Sequence, residues 1–133
     1  MLGRLAKVEL RSIWTSESRD FTPWLAQPEN IAILGETTDL DLEVVGEEQS
    51  VGPYSADIVC TDTATGDTVL IENQLEKTDH THLGQIITYA SGLDASCVIW
   101  IAARFTEEHR SALDWLNEQT PQGISFFGFL RKY

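Results

Sequence analysis

Ala56-Asp57-Ile58-Val59-Cys60-Thr61 and Val69-Leu70-Ile71-Glu72-Asn73-Gln74, separated by the polar turn Thr65-Gly66-Asp67, read as the two strands of an antiparallel hairpin. Each strand is apolar enough to be buried, yet each carries a carboxylate. A buried carboxylate is costly to keep charged unless it is paired or binds a cation. Glu72 and Gln74 are two residues apart and so share one face of their strand. Two acids and a polar side chain converging at one end of a sheet are the donor set that holds a hard cation beside a phosphodiester.

Outward from this hairpin the pattern gives helix, three-strand meander, helix, strand, helix, strand. Residues 5–14 form a strand or a short lead-in. Thr22-Pro23 reads as N-cap then first helical position, which starts a helix at Pro23 that runs to about Leu34 and is stopped by Gly35. Leu40, Leu42 and Val44 alternate with Asp41 and Glu43 as in a half-exposed strand, and Gly46 to Gln49 reads as a polar turn. Strands follow over about Tyr54 to Thr61 and Thr68 to Gln74. Thr78 or Asp79 caps a helix to about Ser91, ended by Gly92. The apolar run from Ser96 to Ala102 marks a strand buried on both faces. A last helix opens at Thr106-Glu107-Glu108-His109 with a capping-box-like start, and Ile124 to Phe129 is the final strand. This order predicts an α/β domain: a mixed sheet of about five strands with helices on both faces.

At 133 residues the chain is one domain, 1–133, with room for a core. Its end after Phe129-Leu130-Arg131-Lys132-Tyr133 raises the expectation that it is the N-terminal part of a longer parent. No apolar run approaches the ~20 residues of a membrane helix, and the N-terminus lacks a signal peptide's apolar stretch. Cys60 and Cys97 both fall in interior strands and read as reduced core thiols, so a cytoplasmic location without membrane contact is expected. The net charge is −12, from 21 acidic and nine basic residues, which weighs against strong DNA binding because phosphate contacts rest on Lys and Arg. Arg4, Lys7, Arg11, Arg131 and Lys132 are the basic residues near the termini.

Asp57, Glu72 and Gln74, followed by Gln85-Ile86-Ile87-Thr88-Tyr89, resemble the PD-(D/E)XK nuclease superfamily. Asp57 matches its Asp, Glu72 its Glu, and Gln74 stands in the Lys place. Gln85 and Tyr89 match the Q-x-x-x-Y pattern of the RecB-type branch. Phe21-Thr22-Pro23-Trp24-Leu25, Glu72-Asn73-Gln74-Leu75 and Thr78-Asp79-His80-Thr81-His82-Leu83 are similar to an uncharacterised bacterial group within the superfamily. The resemblance implies a restriction endonuclease-like fold and a Mg²⁺ (or Mn²⁺) site made by Asp57, Glu72 and the Asn73 carbonyl, with Glu17 or Asp20 before the first helix as a further ligand. It implies Gln74 as a water-positioning catalytic residue beside Asp57 and Glu72, and Gln85 and Tyr89 lining the same cleft. Gln carries no charge, so this is the departure that puts hydrolase activity in question; some restriction enzymes of the superfamily have Gln here.

Each candidate also has a plain reading. Asp57 is otherwise a strand-end acid bonded to a backbone amide, Glu72 is otherwise paired with Lys77 or an arginine, and Gln74 is otherwise a surface amide. Lys77 would reach back toward the site in one reading. Asp79, His80 and His82 resemble a metal cluster, but the chain offers few partners for tetrahedral zinc; His80 or His82 contacting phosphate or a water fits better. His109 reads as solvated, and Trp14, Trp24, Trp100 and Trp115 read as core. The first functional expectation is a Mg²⁺-dependent DNA nuclease or nuclease-derived domain in restriction, repair or phage defence. DNA binding by the isolated chain is then weak, with a homodimer or a further C-terminal domain adding affinity. The rival is a non-catalytic interaction or assembly module of the same fold. A third reading, an acidic DNA mimic, gives no reason for a convergent buried pair.

Overall fold

The computed structural model describes residues 5–8, 18–120 and 123–131. Ten elements follow in order: β1 (Leu5–Val8), α1 (Ser18–Leu25), α2 (Pro28–Thr38), β2 (Leu42–Val51), β3 (Tyr54–Asp62), β4 (Asp67–Lys77), α3 (His80–Leu93), β5 (Cys97–Arg104), α4 (Glu107–Gln119) and β6 (Ser125–Arg131). The described strands make one sheet in the order β1-β6-β5-β4-β3-β2. β2, β3 and β4 form an antiparallel meander, and β4, β5, β6 and β1 run parallel. The sheet therefore has six strands where the sequence suggested about five, because the segment left open between strand and lead-in places β1 beside β6.

Alternation sorts the sheet's side chains onto two faces. Ile58, Cys60, Val69, Ile71, Ile99 and Ile101 pack against Phe21, Leu25, Ile31 and Leu34 of α1 and α2. Val59, Leu70, Val98, Trp100 and Phe126 pack against Ile86, Tyr89 and Ala90 of α3 and Leu113 of α4. β5 is covered on both sides, and Cys97 through Ala102 are all buried, as their unbroken apolar run requires. Cys60 and Cys97 are buried free thiols, and burial pushes Cys60 up to about 12.

Several boundaries differ from the sequence reading. The first helix starts at Ser18 with Pro23 inside it. The Pro-at-first-position signal belongs instead to Pro28, which opens α2 after the break at Ala26-Gln27. Asn30 donates through Nδ2 to the Trp24 carbonyl at 2.7 Å and joins the two helices. Gly35 does not stop α2, which runs to Thr38 and ends on Asp39 in the left-handed region. Likewise α3 passes through Gly92 and ends on Asp94. Gly46 to Gln49 is not a turn. It lies inside β2, where the register slips between Val44 and Gly46; the chain reverses later, at Gly52 (φ 59°) and Pro53. Trp100 is fully buried and Trp24 partly so, but Trp115 is 58% exposed. The inward positions of α4 are His109, Leu113 and Asn117, so Trp115 falls on the outer face. Trp14 lies outside the described residues.

Gly35 is required by packing. A Cβ there would sit 2.6 Å from the Leu40 carbonyl oxygen, which accepts no displacement without moving the α2–β2 connection. Gly35→Ala is expected to lower the denaturation midpoint, losing about 1–3 kcal/mol to overpacking against a propensity gain of about 1 kcal/mol. A midpoint equal to or above wild type would show that the connection relaxes freely.

Candidate active site

The β3–β4 ladder ends at the pair Ile58–Ile71, one residue short of Asp57 and Glu72. Beyond it the two acids take over the hydrogen bonding. The Asp57 N–H donates to Glu72 Oε2 at 2.7 Å, and the Asn73 N–H donates to Asp57 Oδ2 at 2.8 Å. Each carboxylate thus clasps the backbone of the opposite strand with one oxygen. Its second oxygen is uncommitted among the described residues. The plain reading of Asp57 as an acid bonded to a backbone amide describes this contact. The plain reading of Glu72 does not, since the described ion pairs are His82–Asp79 and Arg110–Glu107 and neither touches it.

Both acids lie on the α3 face, with Glu72 only 5% exposed and Asp57 half-buried. Burial, followed by repulsion from Asp57 and then Glu48, pushes Glu72 up to about 8, although the Asp57 N–H favours its charged form. Burial pushes Asp57 up to about 6, with the Asn73 N–H opposing and the Glu48 charge reinforcing the rise.

Glu48 is the residue that sequence reasoning missed. The pairs Glu47–Ile58 and Gln49–Ala56 set it opposite Asp57 across β2 and β3. Three carboxylates, Glu48, Asp57 and Glu72, therefore stand at one level on three consecutive strands. Like charges placed so are destabilising. Glu48 has φ 49°, a conformation few non-glycine residues adopt, and accepts from Ser55 Oγ at 3.2 Å. The legible signal was Gly52-Pro53: counting back from that turn brings 48 against 57.

Gln74 is buried, and its amide is used internally. Nε2 donates to the Lys77 carbonyl at 2.6 Å and to Asp79 Oδ2 at 3.1 Å, while Oε1 accepts from Trp100 Nε1 at 3.1 Å. It is not a surface amide: both its N–H donors and one lone pair of its oxygen are engaged within the chain. The Lys77 carbonyl, and not its exposed ammonium, meets Gln74. Asn73 points its side chain to the other face, buried, with both amide atoms unpartnered. Glu17 lies outside the described residues.

α3 lays His82, Gln85 and Tyr89 along one stripe, at spacings of three and four. Tyr89 is buried, packs at a tilt beside Tyr54 with ring centroids 5.9 Å apart, and is raised above its ordinary value by burial and then by the Glu72 and Asp57 charges. Gln85 is half-buried. Asp79 caps α3 by accepting from the His82 N–H at 2.8 Å and contacts His82 Nδ1 at 2.8 Å. His80 is exposed and meets His109 Nε2 through Nδ1 at 2.9 Å. His109 is buried, not solvated: the Thr78 and Thr106 hydroxyls reach its Nδ1 at 2.8 and 2.7 Å, and Trp100 packs on its ring. Burial, then His80, lowers it below its ordinary value.

No group of three or more His, Cys, Asp or Glu among the described residues is close enough to enclose a metal by itself. The donor set nonetheless fits Mg²⁺ or Mn²⁺. Two carboxylates with an uncommitted oxygen each, beside a third acid, suit a hard ion that keeps several waters.

No family model and no curated protein matches the chain. Two solved structures do match in fold. A repair endonuclease from Pyrococcus abyssi superposes with a TM-score of 0.63 at 14% identity over 92% of this chain and 50% of its own. A chain from the structure of an EndoMS–dsDNA2 complex superposes with a TM-score of 0.61 at 13% identity over 94% of this chain and 49% of its own. The fold is endonuclease-like: a mixed sheet flanked by helices on both faces, as the resemblance implied. The chain spans about half the length of these solved chains.

The pH dependence of metal-free stability follows from the raised acids. Both bind protons more readily folded than unfolded, so their contribution is greatest below about pH 4 and is lost as pH rises through about 6 and then about 8. In EDTA, the melting temperature should fall from pH 5 to pH 8.5. Glu72→Gln should flatten that fall and gain roughly 1–3 kcal/mol at the alkaline end. An unchanged slope in Glu72→Gln would mean the pair is not desolvated.

Proposed function

We propose that this domain is a metal-dependent nuclease that cleaves DNA, with Asp57 and Glu72 holding Mg²⁺ or Mn²⁺. The observation that carries this reading is the Glu48–Asp57–Glu72 row. A fold that sets three carboxylates abreast, two of them desolvated and in no described ion pair, gains from a divalent ion once the acids are ionised. The endonuclease-like fold and the names of its solved neighbours, a repair endonuclease and a complex with double-stranded DNA, support DNA as substrate and repair as setting, with restriction and phage defence as the related roles.

In this reading Asp57 and Glu72 each offer the oxygen not bonded to backbone, and the Asn73 carbonyl and Glu17 are further donors. The bound ion supplies charge stabilisation at the phosphate and lowers the cost of activating water. The Gln74 amide fixes Asp79 and Trp100 behind the site. His82, Gln85 and Tyr89 line the α3 side, where polar groups meet the DNA backbone, and exposed His80 stands at the edge. The net charge of −12 keeps affinity low in the isolated domain, so a second copy or a further domain supplies the rest of the DNA contact. A non-catalytic interaction module is the second reading, favoured by one observation: both N–H donors of Gln74 and one lone pair of its oxygen are engaged within the chain.

Thermal denaturation with and without millimolar Mn²⁺ at pH 8 tests the site. Metal a hundredfold above its dissociation constant adds about 2.7 kcal/mol, so wild type should melt several degrees higher and Glu72→Ala should not respond. Mn²⁺-dependent nicking of DNA at low salt, abolished in Glu72→Ala, then separates enzyme from module. Stabilisation without nicking would favour the module; no stabilisation would remove the metal site.

A further inference from the structure

α3 and α4 begin with the same device. Asp79 and Thr106 are the N-caps, and in each helix the third residue on is a histidine whose N–H and ring nitrogen Nδ1 both meet the capping oxygen. The outcomes differ. The His109 ring is buried and both its nitrogens are used. The His82 ring is one-third exposed and is bonded at Nδ1 alone among the described residues.

Asp79 is unusually well held for an exposed cap. Oδ1 takes the His82 backbone and ring contacts, and Oδ2 takes the Gln74 amide, which Trp100 anchors from the core. Slight desolvation pushes the Asp79 carboxyl up, but the His82 hydrogen bonds outweigh it and hold the group below its ordinary value. A carboxylate only accepts, so Nδ1 of His82 carries the proton and the lone pair of the neutral ring is at Nε2. Gln74 shares the strand face of Glu72, so the Gln74–Asp79–His82 chain of bonds sets this ring beside the acid pair, and a positive charge on His82 favours ionised Asp57 where Glu48 opposes it. Water attack on a phosphodiester beside two carboxylates needs an acceptor for the water's proton, and His82 offers an imidazole held at Nδ1 by Asp79 with no described partner at Nε2.

We propose that His82 is the general base of the Asp57–Glu72 site, with Asp79 and Gln74 as the positioning residues that fix its tautomer and direction. The inference rests on the nuclease reading above. In the step, the water oxygen forms a bond to phosphorus and its proton passes to Nε2. The opposite P–O bond breaks, and its electron pair leaves with the departing oxygen, which takes a proton from solvent. Gln74 then contributes without touching substrate, through Asp79.

The test uses the full chain. Ring ¹⁵N spectra of the metal-free protein read the tautomer without any turnover: wild type should show His82 protonated at Nδ1, and Asp79→Asn, which keeps the cap, should shift it toward Nε2–H. With Mn²⁺ and DNA, His82→Ala should lose about 100-fold in cleavage rate, the lower range for a lost acid–base group, and added imidazole should restore part of it. Gln74→Ala should show the tautomer shift in weaker form. A wild-type ring protonated at Nε2 would overturn the proposal whatever the activity. An active wild type matched by His82→Ala would overturn it while leaving the nuclease reading intact. An inactive wild type with every divalent ion would remove both.

Discussion

The structure turns on the exchange of hydrogen bonds between Asp57 and Glu72. Where β3 and β4 part, each acid reaches over to accept a backbone N–H of the other strand, so the ladder is continued by side chains. This does two things at once. It opens the sheet end without orphaning backbone donors, and it fixes one oxygen of each carboxylate so that the remaining two are held in place. The cost is two negative groups in a half-dry setting, with Glu48 opposite Asp57 adding a third. A domain of net charge −12 has little spare positive charge to offset this, so a divalent ion is the natural counterpart.

A second layer stands behind that clasp. Trp100 is directly beside Glu72 in the β4–β5 register, is fully buried, and donates its indole N–H to Gln74. Gln74 passes this anchoring to Asp79, and Asp79 to the first turn of α3. Phe105 and His109 pack edge-on against the same indole. Core packing is thereby transmitted to the rim of the cleft through one satisfied amide, which a lysine could not replace in full, since it has no acceptor for the Trp100 N–H.

The sequence made the hairpin, the parallel strand–helix–strand units and the acid pair legible because each rests on local pattern: turn residues, a six-residue apolar run, caps at Thr106 and Asp79. Contacts set by tertiary geometry were not legible. Gly35 and Gly92 looked like helix stops, yet both helices continue, because the left-handed positions fall on Asp39 and Asp94. His109 looked solvated because a histidine in a first turn usually is; its burial depends on Thr78, thirty-one residues away. Gln74 looked like a catalytic or surface amide, and nothing local reveals that Trp100, twenty-six residues on, donates to its oxygen. Glu48 was hidden because Gly46 to Gln49 read as a turn, whereas the chain reverses at Gly52-Pro53 and the register counted back from there sets Glu48 against Asp57. The two acids themselves were found from the sequence, and a backbone amide bond was one reading of Asp57; that Glu72 returns the same bond to β3 was not.

The central claim is that the Asp57–Glu72 clasp is a divalent-cation site. The most direct measurement is a crystal of this chain soaked in Mn²⁺ and recorded at a wavelength where manganese scatters anomalously. The account predicts one strong anomalous peak within ~2.0–2.2 Å of an oxygen of Asp57 and of Glu72, the coordination distance of a small hard ion, and its loss in Glu72→Gln. A peak at Asp79, His80 and His82 with none between the two acids, or no peak at all, would contradict it.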